Sequence, residues 1–152
     1  MPKLNKTAWI QAVCAAAVLT AGGVAAWAAD DVLDKREASM KEMGKSLKAI
    51  KGIIDAGGNA ADVVAPANKI VEVAGIIPSL FPKGSDQGET SALPVIWEKW
   101  DAFTKNADNL KNEATMLASA GQSGDLATVR AQFEKTAKEC GTCHKEFKKK
   151  DD

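Results

Sequence analysis

The sequence predicts an all-α protein, an antiparallel up-down-up-down four-helix bundle. Apolar residues recur at spacings of three and four in four separate segments, which is the pattern of helices that pack against one another. The alternation of apolar and polar residues that marks a half-buried strand is found in none of these segments. The first and third connections are short, so helices that are neighbours in the sequence are expected to lie antiparallel.

Residues 1–28 are predicted to be an export signal that is cleaved from the mature chain. Lys3 and Lys6 supply a positive start, and residues 8–26 form a mostly small and apolar run. Ala26-Trp27-Ala28 then offers a small-x-small cleavage site. A retained membrane anchor is the alternative, which is disfavoured because two glycines interrupt the run and two aspartates follow it directly.

The remaining domain, residues 29–152, is expected to work in the periplasm and not on nucleic acid. Beyond the leader, no stretch is expected to be apolar enough to cross a membrane. Removal of the leader takes away two of the 20 basic residues and none of the 20 acidic ones, so the mature chain has a net charge near −2. Nucleic-acid-binding domains are usually strongly basic, and the charge therefore argues against such a partner.

The first helix is predicted to begin at Asp30 or Asp31, either of which can cap an N-terminus, and to end at Gly57-Gly58. Its seam for packing against other helices contains one arginine and two methionines. The seam residues are Leu33, Arg36, Met40, Met43, Leu47, Ile50 and Ile54.

The second helix is shorter, is expected to end at Pro78, and carries Pro66 near its start. A proline is tolerated in the first turn of a helix, so Pro66 either occupies that turn or delays the helix. Residues 78–93 follow and are predicted to be the one long loop, because they are rich in Pro, Gly, Ser and charge. The predicted buried face of the helix is Val63, Ala67, Ile70, Ala74 and Ile77.

The third helix is predicted to begin at Pro94 and to be broken by Gly121–Gly124, and the fourth to begin at Ser123 or Asp125. The seam of the fourth helix continues into two cysteines, so their thiols are expected on the core side. The seam residues are Ile96, Trp100, Phe103, Ala107, Leu110, Ala114 and Leu117 in the third helix, and Leu126, Val129, Phe133, Thr136, Cys140, Cys143 and Phe147 in the fourth.

The segment Cys140-Gly141-Thr142-Cys143-His144 has the C-x-x-C-H signature of c-type haem attachment. On a helix these two thiols and the imidazole stand at i, i+3 and i+4 and project from one face. The thiols can then bond to the two vinyl groups of one porphyrin while the imidazole binds its iron. The sequence therefore predicts one covalently bound haem c.

Two other sites could use the same residues. A redox-active dithiol needs a strand before its helix, and none is predicted there. A structural zinc ion usually takes four protein ligands, but His144 is the only histidine and no second cysteine pair exists in the mature chain. Covalent haem is the favoured interpretation.

Four motifs in the predicted bundle match a known family. They are Arg36-x-x-x-Met40-Lys41-x-Met43-Gly44, Leu80-Phe81-Pro82-x-Gly84-Ser85, Pro94-x-Ile96-Trp97 and Cys140-x-x-Cys143-His144-x-x-Phe147. In these motifs, and in the C-terminal place of the haem signature, the chain resembles the class II c-type cytochromes, the cytochrome c′ and cytochrome c-556 group. Cytochrome c′ is itself a well-known four-helix bundle, so the resemblance implies the same fold.

The resemblance also implies the roles of five residues. Cys140 and Cys143 form thioether bonds, and His144 is the proximal ligand of the iron. Arg36 lies beside a haem propionate, and Met40 faces the distal side of the iron. An apolar residue at this distal position leaves the iron five-coordinate in cytochromes c′, whereas a methionine there is the sixth ligand in c-556-like members.

Helix geometry agrees with Met40 as the distal residue. With a rise of about 1.5 Å per residue, Met40 lies roughly 13 Å inside the first helix and His144 roughly 9 Å before Lys150. Antiparallel packing would therefore bring the two nearly level. Met43 is a rival one turn deeper on the same seam, and Met116 is a rival on the third helix.

The resemblance implies two candidate functions. The first is an electron carrier that exchanges single electrons with redox partner proteins and turns over no substrate. The alternative is a five-coordinate haem protein that binds NO or CO. Peroxidase activity ranks third because no second histidine is available for acid–base work. The resemblance further allows a homodimer.

Overall fold

The computed structural model describes the backbone of residues 23–150 and the side chains of residues 31–150, and within this range the all-α bundle is confirmed. Strand pairing in the described range is limited to one antiparallel bridge, between Ala92 and Lys148. The predicted leader residues Lys3 and Lys6 lie outside the described residues. The helices are α1 (Gly23–Asp55), α2 (Val64–Ile76), the short α3 (Val95–Glu98), α4 (Trp100–Ser123) and α5 (Leu126–Phe147).

Helix α1 begins earlier than predicted and ends where predicted. Its backbone is helical from Gly23 onward and runs through Asp30 and Asp31, so neither aspartate caps a helix in the full chain. The alanine-rich sequence before the aspartates has high helix propensity and extends the helix. At the other end Gly57 adopts a φ of 62°, and its amide donates to the carbonyl of Ile54 at 3.2 Å. This left-handed turn ends the helix.

Helix α2 lies between two 3₁₀ turns, Ala60–Val63 and Ile77–Leu80. Pro66 is its third residue, in the first turn, where a missing N–H costs no helical hydrogen bond. By length and composition the segment Ala60–Leu80 could cross a membrane, so the expectation that no such stretch follows the leader was wrong. In the fold this segment uses its apolar face for the core, where Ile70 is fully buried.

The predicted third helix is divided, so its continuity was predicted wrongly. Lys99 leaves the helical region (φ −113°, ψ 44°) between α3 and α4. Directly before this break, α3 is hydrogen-bonded to the preceding loop. The indole N–H of Trp97 on α3 donates to the carbonyls of Phe81 and Pro82, at 3.0 Å each.

The break between α4 and α5 lies at Gly124, the last residue of the predicted break Gly121–Gly124. Gly121 stays inside α4, and the helix ends only at Gly124, which has a φ of 78°. A Cβ at Gly121 would lie 3.0 Å from the carbonyl oxygen of Ala60 and 3.0 Å from a methyl carbon of Val64. Gly121 thus serves the close approach of two helices. Asp125 is one of the two predicted starting points of α5, and it caps the helix, because its carboxylate accepts two backbone amide bonds.

Helices α1 and α5 run antiparallel. Arg130, near the start of α5, donates through Nη2 to the carbonyl of Ile54, near the end of α1, at 3.2 Å. Helix α4 packs against both α2 and α5, and the core between the helices includes the fully buried Ile50, Leu117 and Val129. The end of α5 that carries the cysteines therefore lies toward the N-terminal part of α1.

Candidate functional site

The two cysteines and the histidine share the last turns of α5. Cys140 and Cys143 are half-buried against the apolar core, and both are free thiols. His144 is next to them and is exposed. The predicted helical spacing is therefore present, with the thiols on the core side of the helix.

Burial raises the pKa of both thiols. Desolvation is the main cause, and it raises the pKa of Cys143 to about 11 and shifts the pKa of Cys140 in the same direction. The Cys140 thiol also donates to the carbonyl of Thr136, with the sulfur at 3.7 Å. Both groups are therefore neutral S–H groups at neutral pH. A thiol in this form supplies the sulfur and the hydrogen that add across a vinyl double bond.

These donors fit a covalent haem better than the two alternatives. Among the described residues, no three His, Cys, Asp or Glu side chains form a group that could hold a metal ion. The two cysteines and His144 therefore do not form a zinc site. Helix α5 follows another helix and not the strand that a dithiol oxidoreductase would place there. Two free thiols and an imidazole within two helical turns meet the requirements of haem attachment.

Met40 on α1 lies level with His144 on α5. The bond between Arg130 and Ile54 places these two residues close together along the helices, to within the length of an arginine side chain. Met40 precedes Ile54 by 14 residues, and His144 follows Arg130 by 14 residues. Both separations correspond to about 21 Å at a rise of about 1.5 Å per residue. Because the helices are antiparallel, the two residues end at the same height.

His144 also projects on the side of α5 that faces α1. Arg130 reaches α1, whereas Gln132 and Thr136 both donate to the carbonyl of Glu113 on α4, at 3.1 and 3.2 Å. The 14 residues from Arg130 to His144 make nearly four turns of about 3.6 residues each. The imidazole therefore lies on the same side as the Arg130 side chain.

The three candidate methionines differ in exposure. Met43 is 6% exposed and belongs to the core, whereas Met116 on α4 is 47% exposed. Met40 is half-buried and packs against the edge of the core. Met40 thus combines the height of His144 with a position outside the core interior.

Arg36 is buried among acceptors of the loop that precedes α3. Its Nε donates to the carbonyl of Leu80 at 3.0 Å, and its Nη1 donates to the Ser85 carbonyl at 3.1 Å and the Thr90 hydroxyl at 3.0 Å. Its Nη2 donates to the Ser85 hydroxyl at 2.5 Å. The guanidinium carbon lies 4.1 Å from the centre of the Phe81 ring. These bonds use four of the five N–H donors of an arginine.

The loop around Arg36 was not predicted from the sequence. Arg36 was expected on a seam with a haem propionate as its partner, and that partner stays a prediction. One feature of the sequence could have indicated these loop contacts: a guanidinium on a buried seam needs several hydrogen-bond acceptors around it. No sequence pattern pointed to Thr90, because its hydrogen bond with Arg36 joins residues that are far apart in the chain.

Known proteins are similar to this chain over most of its length. A family model described as Cytochrome C′ matches residues 31–148. Cytochrome c-556 of Agrobacterium fabrum is 34% identical over 140 residues, which cover 91% of this chain and 88% of the relative. Cytochrome c′ of Rhodospirillum rubrum is 31% identical over 118 residues, which cover 77% and 76%.

Solved structures also resemble the bundle. Cytochrome c′ of Shewanella frigidimarina matches with a TM-score of 0.74 and 26% identity, covering 80% of this chain and 97% of that one. A cytochrome c′ described as having an unusual ligand-controlled dimer dissociation matches with a TM-score of 0.75, 26% identity and the same coverage.

Proposed function

The chain belongs to the cytochrome c′ family, and we propose that it is a periplasmic electron carrier with a six-coordinate haem iron. As a class II c-type cytochrome it carries one covalent haem c. The proposal adds the residues that hold this group. In this proposal Cys140 and Cys143 would hold the haem covalently, and His144 and Met40 would bind its iron.

Each residue has a separate task in this proposal. The haem supplies the redox chemistry, an iron that alternates between Fe(III) and Fe(II). Cys140 and Cys143 would hold the porphyrin on α5, because each S–H can add across one vinyl group to give a thioether. His144 would bind the iron from α5 and Met40 from α1. Methionine ligation raises the reduction potential, and two packed helices hold both ligands in place in either redox state.

The register of α1 against α5 is the observation that carries the Met40 assignment. A porphyrin lying between the two helices would have its iron between residues of equal height, and Met40 and His144 satisfy this condition. Met43 lies three residues farther along α1, about one turn deeper, and is buried in the core. Met116 is on a different helix and is exposed.

Arg36 is proposed to donate its fifth N–H to a haem propionate. The loop holds the guanidinium through the other four donors, so this donor is fixed in position before haem binds. A cationic donor beside a propionate favours its ionised form and lowers its pKa.

The alternative function is a five-coordinate haem protein that binds NO or CO. Membership of the cytochrome c′ family favours this alternative, since cytochromes c′ are known for five-coordinate iron. In that case Met40 would pack beside the haem without binding the iron, and the distal side would be open to a gas.

Visible spectra of the reduced holoprotein with and without CO separate the two functions. A carrier with Met40 bound has sharp low-spin bands that CO does not change. Met40→Leu should then become high-spin and bind CO, while the matched control Met43→Leu stays low-spin. A wild-type protein that is high-spin and binds CO would support the gas-binding alternative instead.

The protein is proposed to work in the periplasm with redox proteins as partners. The family match begins at residue 31, directly after the predicted leader of residues 1–28, which supports export to the periplasm. Redox proteins are the proposed partners. No enzymatic role is proposed, because His144 is the only histidine of the chain and is assigned to the iron. One similar structure is described as a dimer, and sedimentation of the holoprotein would test a homodimer here.

A further inference from the structure

The chain directly after His144 is bonded to the loop before α3. The amide of Leu93 donates to the carbonyl of Phe147 at 3.0 Å, and the amide of Lys149 donates to the carbonyl of Ser91 at 2.8 Å. The residues between them form the antiparallel bridge of the fold. Two backbone bonds therefore hold the end of α5 against a segment far away in sequence.

This bridge is connected to His144 by one helical turn. The amide of Lys148, inside the bridge, donates to the carbonyl of His144 at 3.1 Å. The ammonium group of Lys149 adds a bond to the carbonyl of Thr90 at 2.8 Å. Helix ends normally fray because their last carbonyls lack helical partners. Here the last turn continues into a bonded segment.

The hydroxyl of Thr90 connects the bridge to α1. It accepts from Nη1 of Arg36 at 3.0 Å and from the amide of Ala92 at 3.2 Å. Arg36 is only 6% exposed and its side chain is held by several loop atoms, so this end of the connection is rigid. A continuous series of hydrogen bonds thus leads from α1 through Thr90 to the turn that carries His144.

We propose that Thr90 is a positioning residue for the axial imidazole, acting through the Ala92–Lys148 bridge. The inference rests on the proposed role of His144 as an iron ligand. Another contact near this end of α5 is the ion pair between Lys99 and Glu146 at 2.9 Å, but both side chains are exposed and such pairs contribute little. The bridge and its Thr90 anchor therefore help to set the direction of the last turn, together with Phe147, which packs against Phe103 with ring centroids 5.4 Å apart.

The test uses three holoprotein variants. Thr90→Val removes the hydroxyl and keeps the branched shape, and Thr90→Ser restores the hydroxyl. Thr115→Val is the matched control, since its exposed hydroxyl bonds only within α4, to the carbonyl of Lys111. Amide hydrogen exchange of Leu93 and Lys149 reports the bridge. The paramagnetically shifted ring-proton resonances of His144 in the ferric protein report the orientation of the imidazole.

In Thr90→Val we expect exchange at Leu93 and Lys149 to become about two- to tenfold faster, as for the loss of one buried hydrogen bond. The His144 ring resonances should move, and Thr90→Ser should restore both signals while Thr115→Val changes neither. Faster exchange with unmoved ring resonances would overturn the positioning role, as would unchanged exchange. An error in the ligand assignment is visible separately, because the unmutated protein would then show no iron-shifted imidazole resonances.

Discussion

Replacing Arg36 by leucine should destabilise the protein strongly, because it removes the donor at the centre of the loop. Two buried carbonyls, those of Leu80 and Ser85, lose their partner, and so do the hydroxyls of Ser85 and Thr90. A buried hydrogen bond to a charged group is worth about 1.5–3 kcal/mol. The two hydroxyls keep other hydrogen bonds, since Ser85 Oγ donates to the Pro82 carbonyl and Thr90 Oγ1 accepts from the Ala92 amide. We therefore count only the two carbonyls, at about 1.5–2 kcal/mol each. The expected loss is about 3–4 kcal/mol, which lowers Tm by about 10–15 °C in a domain of this size.

Urea unfolding of the ferric holoprotein at pH 7 measures this loss as a lower midpoint with an unchanged m-value. Arg130→Leu is the matched control, because that exposed side chain makes one bond, to Ile54, and should cost under about 1 kcal/mol. Arg36→Lys should fall in between, since lysine keeps the charge without the planar fork. If Arg36→Leu lowers the free energy of unfolding no more than Arg130→Leu does, the loop contacts of Arg36 do not stabilise the fold as expected. If only the pH dependence of the haem potential stays unchanged, the propionate role is wrong and the loop role remains.

Three further predictions concern the close contact at Gly121, the helix cap at Asp125 and the cleavage of the leader. Gly121→Ala should destabilise in thermal unfolding, because an overpacking cost of about 1–3 kcal/mol exceeds a helix-propensity gain of about 1 kcal/mol, whereas Gly52→Ala, with open space around it, should stabilise. The pKa of Asp125 is lowered by its bonds to Thr128 and Ala127, so its stabilising effect is full above a pH of about 4 and is lost as pH falls through the folded-state pKa. Asp125→Ala should therefore lower the urea midpoint at pH 7 and change it little at pH 2; an equal change at both would contradict the charge-dependent cap. Mass spectrometry of the exported protein should show a chain that begins near Ala29 and carries one haem, and an intact Met1 would contradict the leader.

Local chemistry explains which features of the fold could be predicted. The three- and four-residue spacing of apolar residues is satisfied only by helices, and the stop at Gly57 and the cap at Asp125 depend on residues within one turn. The wrong predictions concern features that depend on contacts between segments far apart in the sequence. Gly121 was taken for a helix breaker because its closeness to Ala60 depends on packing between distant segments. The break at Lys99 was missed because Trp97 bonds to a loop that the periodicity does not locate.

The site follows the same division between local and long-range information. The thiols and the imidazole lie within five residues, so their common helix face could be read from spacing alone. Which helix faces them could not, because a seam shows the buried side of a helix without showing its neighbour. Two contacts supply that neighbour: Arg130 bonds to α1, and Gln132 bonds to α4. Their order around α5 places His144 on the side toward α1, and the Arg130 bond brings Met40 nearly level with it. Met40 as the proposed sixth ligand therefore rests on two hydrogen bonds roughly three to four turns away from His144, and Met40→Leu beside Met43→Leu tests that proposal directly.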